Sequence, residues 1–276
     1  MPRILVPTDF SGNSKAGMRF AIRWSSQQKN ELIFFHVFHG VVTSIGSDYG
    51  HVMETRAANE LKKLKIFVAG LYKSMHFKPG KYSCVAIQGT SPDISVMDYC
   101  RNHNDIDYIC ISTRGAGKIN RILGTNTGNL ISKSKVPVIA IPKDYRNKSL
   151  KNVLYATDLA DYSGELKKVE DFTRPFKANI EIVHLTWPGE ILPDKKMLEK
   201  SLSKNTPYRE KLKIGKADFT RSLIKNLQEL VNRSKPSLIV MFTDQHRNLI
   251  QRIFFPSKAE QLSFTTKIPL LAFQKV

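Results

Sequence analysis

The sequence predicts an α/β protein built from two tandem doubly wound open sheets, each with five parallel strands. Three observations predict it: the chain repeats itself in order, its short apolar runs are nearly unbroken, and amphipathic stretches separate those runs. The repeat is sought first. Arg3-Ile4-Leu5-Val6-Pro7-Thr8-Asp9-Phe10 returns as Asn152-Val153-Leu154-Tyr155-Ala156-Thr157-Asp158-Leu159. Ile33-Phe34-Phe35-His36-Val37 returns as Glu181-Ile182-Val183-His184-Leu185. Asp107 to Ile111 returns as Ser237 to Met241, and Lys135 to Pro142 returns from Lys267 to Phe273. The offset is 149 residues at the first block and 132 at the last, so the second copy is shorter in its middle.

The elements follow in order. The runs at 3–7, 32–38, 82–87, 107–111 and 136–141 are rich in β-formers. Their near-continuous apolarity is how parallel strands buried on both faces read. Met53, Ala57, Leu61, Leu64, Val68 and Leu71 step by three or four and mark one helix face. Ser91-Pro92-Asp93 opens another helix, with Ser91 as N-cap, Pro92 at the first helical position and Asp93 in the first turn. The polar join Lys143 to Ser149 divides a domain over 1–146 from one over 150–276. In the second copy, Ala217, Leu223, Ile224, Leu227, Leu230 and Val231 mark the matching helix. Trp187 to Tyr208 is a Lys-rich, proline-containing insertion, read as a mobile connection or partner-docking segment.

Composition narrows the class. The chain has 276 residues, 41% hydrophobic and 24% charged, enough apolar material for real cores. No apolar run approaches the roughly 18 residues of a membrane span. The start has a four-residue apolar run before Pro7 and then Asp9. A secretory segment needs about 7–15 apolar residues, so none is expected. Cys84, Cys100 and Cys110 fit no metal spacing and no even disulfide framework, which points to the cytoplasm. The net charge of +19 is spread over both copies, +11 and +8, with no run of five cations. Such a field favours polyanions, nucleic acid included. Without a nucleic-acid motif, a solvated basic surface is the simpler reading.

Ligands of such sheets sit beyond the carboxyl ends of the strands, near the switch in strand order. After the first strand stands Pro7-Thr8-Asp9-Phe10-Ser11. After the fourth comes Ser112-Thr113-Arg114-Gly115-Ala116-Gly117, and later Gly124-Thr125-Asn126-Thr127 opens a helix. The glycines let backbone approach a ligand, and a helix N-terminus with Thr hydroxyls suits a phosphate. Arg114, Lys118 and Arg121 add positive charge. The bland alternative is a glycine-rich loop capped by Thr. Asp9 is equally readable as a cap shared with Ser11, and His36 and His184 read as packed core histidines. No phosphate loop of Gly-x4-Gly-Lys-Ser/Thr spacing, no Ser-His-Asp order, no metal cluster and no paired carboxylates stand out, so no catalytic residue is assigned.

Pro-Thr-Asp-Phe-Ser after the first strand, His-Val in the second, the glycine loop after the fourth and Val-Pro-Val-Ile-Ala-Ile-Pro in the fifth resemble the universal stress protein family. Both copies match its outline. The resemblance implies a Rossmann-like strand order of 3-2-1-4-5 in each domain and ATP, AMP or ADP as ligand, with Mg2+ as an optional companion. Its ATP-binding members carry Gly-x2-Gly-x9-Gly-Ser/Thr. This chain has Ser112-x2-Gly115-x8-Gly124-Thr125, with Ser for the first Gly and a spacer one residue short. By resemblance, Asp9 contacts the ribose or adenine side, Pro7 and Thr8 shape that wall, and Val37 offers backbone to adenine. Ser112, Arg114, Gly115, Gly117, Gly124, Thr125, Asn126 and Thr127 surround the phosphates. In the second copy Thr243, His246 and Pro256 stand where the glycines would be, so that half is not expected to bind ATP. The halves are expected to pair as a pseudo-dimer through Val136 to Ile141 and Ile268 to Phe273, with a homodimer as a further option. The implied function is stress response by nucleotide binding without efficient turnover. The alternatives are a family member acting as a regulatory or interaction module without nucleotide, a slow ATPase or nucleotidyl transferase, and, more weakly, nucleic-acid binding.

Overall fold

The computed structural model describes residues 1–40, 49–113, 125–145, 149–159, 161–186, 210–216, 223–243 and 267–275. The chain forms two compact units, the first over residues 1–115 and 123–147 and the second over residues 148–276.

The first unit runs β1 (Arg3–Pro7), α1 (Lys15–Gln28), β2 (Glu31–Phe38), α2 (Tyr49–Met75), β3 (Tyr82–Gln88), α3 (Pro92–Asn102), β4 (Tyr108–Thr113), α4 (Thr125–Lys133) and β5 (Val138–Pro142). Its strands are parallel in the order β3-β2-β1-β4-β5, the doubly wound order expected. The reason for the unbroken apolar runs is visible in burial. Ile4, Leu5 and Val6 of β1, Leu32 to Phe35 of β2 and Val138 to Ile141 of β5 are all buried, with helices on the sheet's faces. Each such side chain contributes about 1.5–3 kcal/mol relative to exposure.

Among the strand boundaries that differ from the apolar pattern, two have clear local reasons. β5 starts after Pro137, whose ring leaves no N–H for the ladder; its carbonyl still accepts from Ile109 N at 2.9 Å. β4 runs on through Ser112 and Thr113, which pair with Ile141 and Pro142. Polar side chains ended the hydrophobic pattern there without ending the strand.

Helix α1 presses closely on β4. A Cβ on Gly17 would lie 2.9 Å from the backbone nitrogen of Ser112, so only glycine permits this approach. Gly17 N–H donates to Ser112 Oγ at 2.7 Å, Ser112 Oγ–H donates to Ser14 O at 2.9 Å, and the Cys110 thiol faces Gly17 O at 3.4 Å. On α2, Leu64, Val68 and Leu71 are buried, and Met53, Ala57 and Leu61 are half-buried along the expected face.

The second unit contains β6 (Asn152–Ala156), α5 (Tyr162–Thr173), β7 (Asn179–Thr186), β8 (Glu210–Lys216), α6 (Leu223–Ser234), β9 (Leu238–Thr243) and β10 (Leu270–Gln274). Its order, β8-β7-β6-β9-β10, repeats that of the first unit, and every pair is parallel. Helix α6 covers the expected positions from Leu223 to Val231, while Ala217 and the whole 187–208 insertion lie outside the described residues. No described helix is long and apolar enough to cross a membrane.

Candidate functional site

In the first unit a cleft of about 710 Å³ opens at the carboxyl ends of β1, β2 and β4. Ligand clefts run from roughly 300 to 1,000 Å³, so the space suits a mononucleotide-sized molecule. Its walls come from the β1–α1 turn, the end of β2, the α2 face at Arg56 and Glu60, the start of α3 and the first turn of α4.

The β1–α1 turn is built by a chain of hydroxyls. Thr8 N–H donates to Phe35 O at 2.9 Å, which continues the β1–β2 register past the strand end. Thr8 Oγ1 accepts from Phe10 N at 3.2 Å and meets Ser14 Oγ at 2.9 Å; since the Ser14 hydroxyl donates to Ser11 O at 2.8 Å, the Thr8 hydroxyl is the donor to Ser14. Asp9 Oδ1 accepts from Ser11 N at 3.0 Å. Phe10 adopts φ 62°, a left-handed conformation costly for a bulky residue. The turn holds it there, with its ring 4.2 Å from His36 and 5.4 Å from Phe67.

His36 combines two roles. It is buried, as a packed histidine should be, and its Nδ1 lies 2.8 Å from Thr8 O. A carbonyl only accepts, so Nδ1 carries the proton. Nε2 faces Glu60 at 3.8 Å on the cleft wall.

Ser112 and Thr127 join β4 to α4. The Ser112 hydroxyl is committed to α1, so its side chain turns away from a ligand while its carbonyl accepts from Thr127 Oγ1 at 3.4 Å. Helix α4 has no acidic residue in its first turn, and its Asn126 and Thr127 line the cleft. Helix α3 differs. Ser91 stands at the N-cap position, but its hydroxyl donates to Asp93 instead of capping the backbone. Asp93 is buried, and its Oδ2 accepts from Asn129 Nδ2 at 2.7 Å. Burial alone pushes the Asp93 carboxyl up. The hydrogen bonds from Ser91, Asn129 and the backbone N–H groups of Asp93 and Ile94 outweigh it and hold the carboxyl below its ordinary range.

The second unit repeats the scaffold with different contents. Thr157 N–H donates to Val183 O at 3.0 Å, Leu159 N–H to Thr157 Oγ1 at 2.9 Å, and Leu159 takes φ 63°. His184 Nδ1 lies 2.9 Å from Thr157 O, the same pin as His36 on Thr8. Behind this turn stands a buried acid. The fully buried Tyr155 donates its hydroxyl to Glu165, and Lys275 Nζ lies 3.4 Å from the other Glu165 oxygen and 2.5 Å from Asp158 Oδ2. Burial pushes the Glu165 carboxyl up, aided by Asp158 and opposed by Tyr155 and Lys275; the net direction is up. For Lys275, burial pulls down, but the bond to Asp158 and the charges of Glu165 and Asp158 outweigh it and raise its pKa. The Tyr155 hydroxyl is pushed up by burial and by Glu165. At the 149-residue offset, Tyr155 and Glu165 correspond to Val6 and Ala16 of the first copy.

Of the residues singled out in the sequence, Pro7, Thr8, Asp9, Val37, Ser112, Asn126 and Thr127 meet at the one cleft. Thr125 begins α4, and its side chain lies outside the described residues. Arg114, Gly115, Gly117, Lys118, Arg121 and Gly124 also lie outside them, as do His246 and Pro256 of the second copy. Arg56, Glu60 and Asp93 on the cleft wall were not read from the sequence. Asp93 had a signal, since Ser-Pro-Asp was read only as a helix start. Arg56 and Glu60 had none, because polar positions on a long amphipathic helix ordinarily face water.

Comparison with known proteins accords with this geometry. The universal stress protein family matches residues 1–142. A universal stress protein from Archaeoglobus fulgidus DSM 4304 shares the fold over 99% of this chain and 98% of its own, with TM-score 0.71 and 18% identity. A putative universal stress protein from Pseudomonas aeruginosa UCBPP-PA14 covers 99% of this chain and 93% of its own, with TM-score 0.59 and 11% identity. A functionally unknown protein from Pseudomonas aeruginosa PAO1 covers 99% and 92%, with TM-score 0.56 and 11% identity. No curated protein matches the chain. With the family matched over more than half its length and the doubly wound strand order in place, this chain belongs to the universal stress protein family.

Proposed function

We propose that the first unit binds an adenine nucleotide, ATP or its mono- or diphosphate, as a stress-response protein that works by binding and not by efficient turnover. One observation carries the reading. The 710 Å³ cleft is lined by the neutral first turn of α4 with Asn126 and Thr127 and also by the carboxylates of Asp9 and Glu60 and the guanidinium of Arg56. A helix N-terminus attracts phosphate. Carboxylates repel phosphate but accept from the amine of adenine and the hydroxyls of ribose. The cleft therefore offers groups suited to both the phosphates and the sugar and base of a nucleotide. Arg114, Lys118 and Arg121 in the sequence that leads into α4 support the phosphate end by charge.

The second unit serves as a structural or regulatory partner. Asp158 is neutralised by Lys275, and Tyr155 and Glu165 occupy volume that Val6 and Ala16 leave small in the first copy.

Mass spectrometry after denaturing protein purified without added ligand tests the reading, followed by equilibrium dialysis with labelled ATP. The expected result is one nucleotide per chain, lost in Gly124→Arg, where a side chain would stand in the glycine motif. Absence of ATP binding, or binding unchanged in Gly124→Arg, counts against it.

A further inference from the structure

Helices α1, α3 and α4 all begin at the wall of the first cleft, and the first turns of α3 and α4 are treated in opposite ways. The start of α3 holds its own carboxylate, Asp93, which is 4% exposed and accepts from the backbone N–H groups of Asp93 and Ile94. That end is closed to an outside anion, since its donors are satisfied and its charge is already negative. The start of α4 carries no acid. Among the described residues the first turns of α1 and α4 carry no acid, so an anion at the α3–α4 wall is drawn to the start of α4, and the placement of that start decides how well it is gripped.

We propose that Asp93 and Asn129 form the positioning pair of the cleft, a tie from α3 to α4 that sets where the first turn of α4 meets the phosphate end of the ligand. The proposal rests on the nucleotide reading above. Asn129 Nδ2 donates to Asp93 Oδ2 at 2.7 Å, and the Ser91 hydroxyl holds the other oxygen, so the carboxylate is fixed on both sides. Asn129 lies within one helical turn of Asn126 and Thr127, so the tie sets the rotation of α4 about its own axis. A second anchor, Thr127 Oγ1 to Ser112 O at 3.4 Å, is long and weak, which leaves the α3 tie as the stronger constraint. Neither member of the pair needs to touch the ligand. Their effect is on geometry, and a shift of about 1 Å at a gripping site costs up to 100-fold.

The test compares labelled ATP and labelled adenosine by equilibrium dialysis on the full chain. A purely structural role would weaken both ligands together. The positioning role weakens only the one with phosphates. Asn129→Ala and Asp93→Ala are expected to lower ATP affinity about tenfold or more, with adenosine held within about twofold. Asp93→Asn keeps an acceptor for Asn129 and is expected to keep the ATP-to-adenosine ratio at or above that of the unmodified protein. Asn129 is half-buried, so Asn129→Ala is expected to fold, and circular dichroism checks it. Asn129→Asp provides a second folded variant; two facing carboxylates should open the tie and lower ATP affinity more than Asn129→Ala does. Equal weakening of both ligands, unchanged ATP affinity in Asn129→Ala, or no recovery in Asp93→Asn would overturn the proposal. If the unmodified protein binds neither ligand, the nucleotide reading fails and the positioning role fails with it.

Discussion

The ends of β1 and β6 carry the same turn around different interiors. Each has a Thr whose backbone N–H continues the sheet register, a left-handed residue two positions on, and a histidine pinned to the Thr carbonyl. In the first unit the space beside that turn is an open cleft with Asp9 exposed on its rim. In the second, Tyr155 and Glu165 form a buried polar cluster, and the ammonium of Lys275 neutralises Asp158. The first-copy counterpart of Lys275 is Lys143, which among the described residues pairs with its exposed neighbour Asp144 at 4.0 Å. The difference teaches that the backbone frame and the site are separable. The hydrogen bonds that shape the turn involve Thr and His, which both copies keep, whereas the side chains behind it differ, with Tyr155 and Glu165 where the first copy has Val6 and Ala16.

The comparison can be broken most severely at Tyr155, which is 0% exposed. Tyr155→Ala leaves a cavity and removes the hydrogen bond to Glu165, leaving that oxygen only the long contact from Thr157 at 3.5 Å among the described residues, and is expected to destabilise the second unit by about 4 kcal/mol. Urea unfolding followed by circular dichroism measures it; a loss under about 1 kcal/mol would mean that the cluster does not hold the unit together. Lys275→Met removes the cation shared by Asp158 and Glu165. An ion pair this well buried would cost about 3–5 kcal/mol to break, but Asp158 is partly exposed, so about 2 kcal/mol is expected.

The shared pin sharpens the comparison. His36→Phe and His184→Phe each remove a bond to a Thr carbonyl, and each is expected to cost about 1 kcal/mol in its own unit. A cost confined to one unit would show that the two histidines do different work. A smaller effect is the pH dependence. Glu165 has its native pKa raised above the unfolded value, so its contribution is present below the ordinary carboxyl range and is lost as pH rises through the native pKa. Lys275 is also raised, so its contribution persists through neutral pH and is lost only as pH rises through its native pKa in the alkaline range. Glu165→Gln should flatten the fall in urea midpoint as pH rises from about 4 to 7. An unchanged slope would assign it to other groups.

The smallest effect is kinetic and reports on the first unit alone, because all three cysteines belong to it. Cys84 is half-exposed, whereas Cys100 is buried with its thiol pushed up to about 12, and Cys110 is buried with its thiol also pushed up. Maleimide labelling should modify Cys84 first and Cys110 only on opening of the first unit. Lys275→Met should leave the Cys110 rate unchanged, and a faster rate would show that the second unit's cluster stabilises the first.

Much of the frame was legible before any coordinates. The repeat placed the strands in both copies, and Thr8, Asp9, Asn126 and Thr127 were singled out because strand ends and helix starts are where such sheets bind. Ser112 was only half legible. It lines the cleft from within β4, but its hydroxyl belongs to α1, and nothing within a strand pattern announces a helix lying 95 residues earlier in the chain. Glu165 was missed in the same way, because an acid near a helix start reads as a favourable first-turn charge, whereas here the fold buries it against Tyr155.

The sequence by itself determined the run of strands and helices in each half and which residues stand at the strand ends. Those properties come from local periodicity and from short motifs that act within a few residues. The tertiary structure alone decided which polar groups became partners: Asp93 with Asn129, Glu60 with His36, Lys275 with Asp158 and Glu165. Such pairs join distant segments that carry no shared pattern along the chain, and they exist only because the sheet brings the ends of its strands side by side.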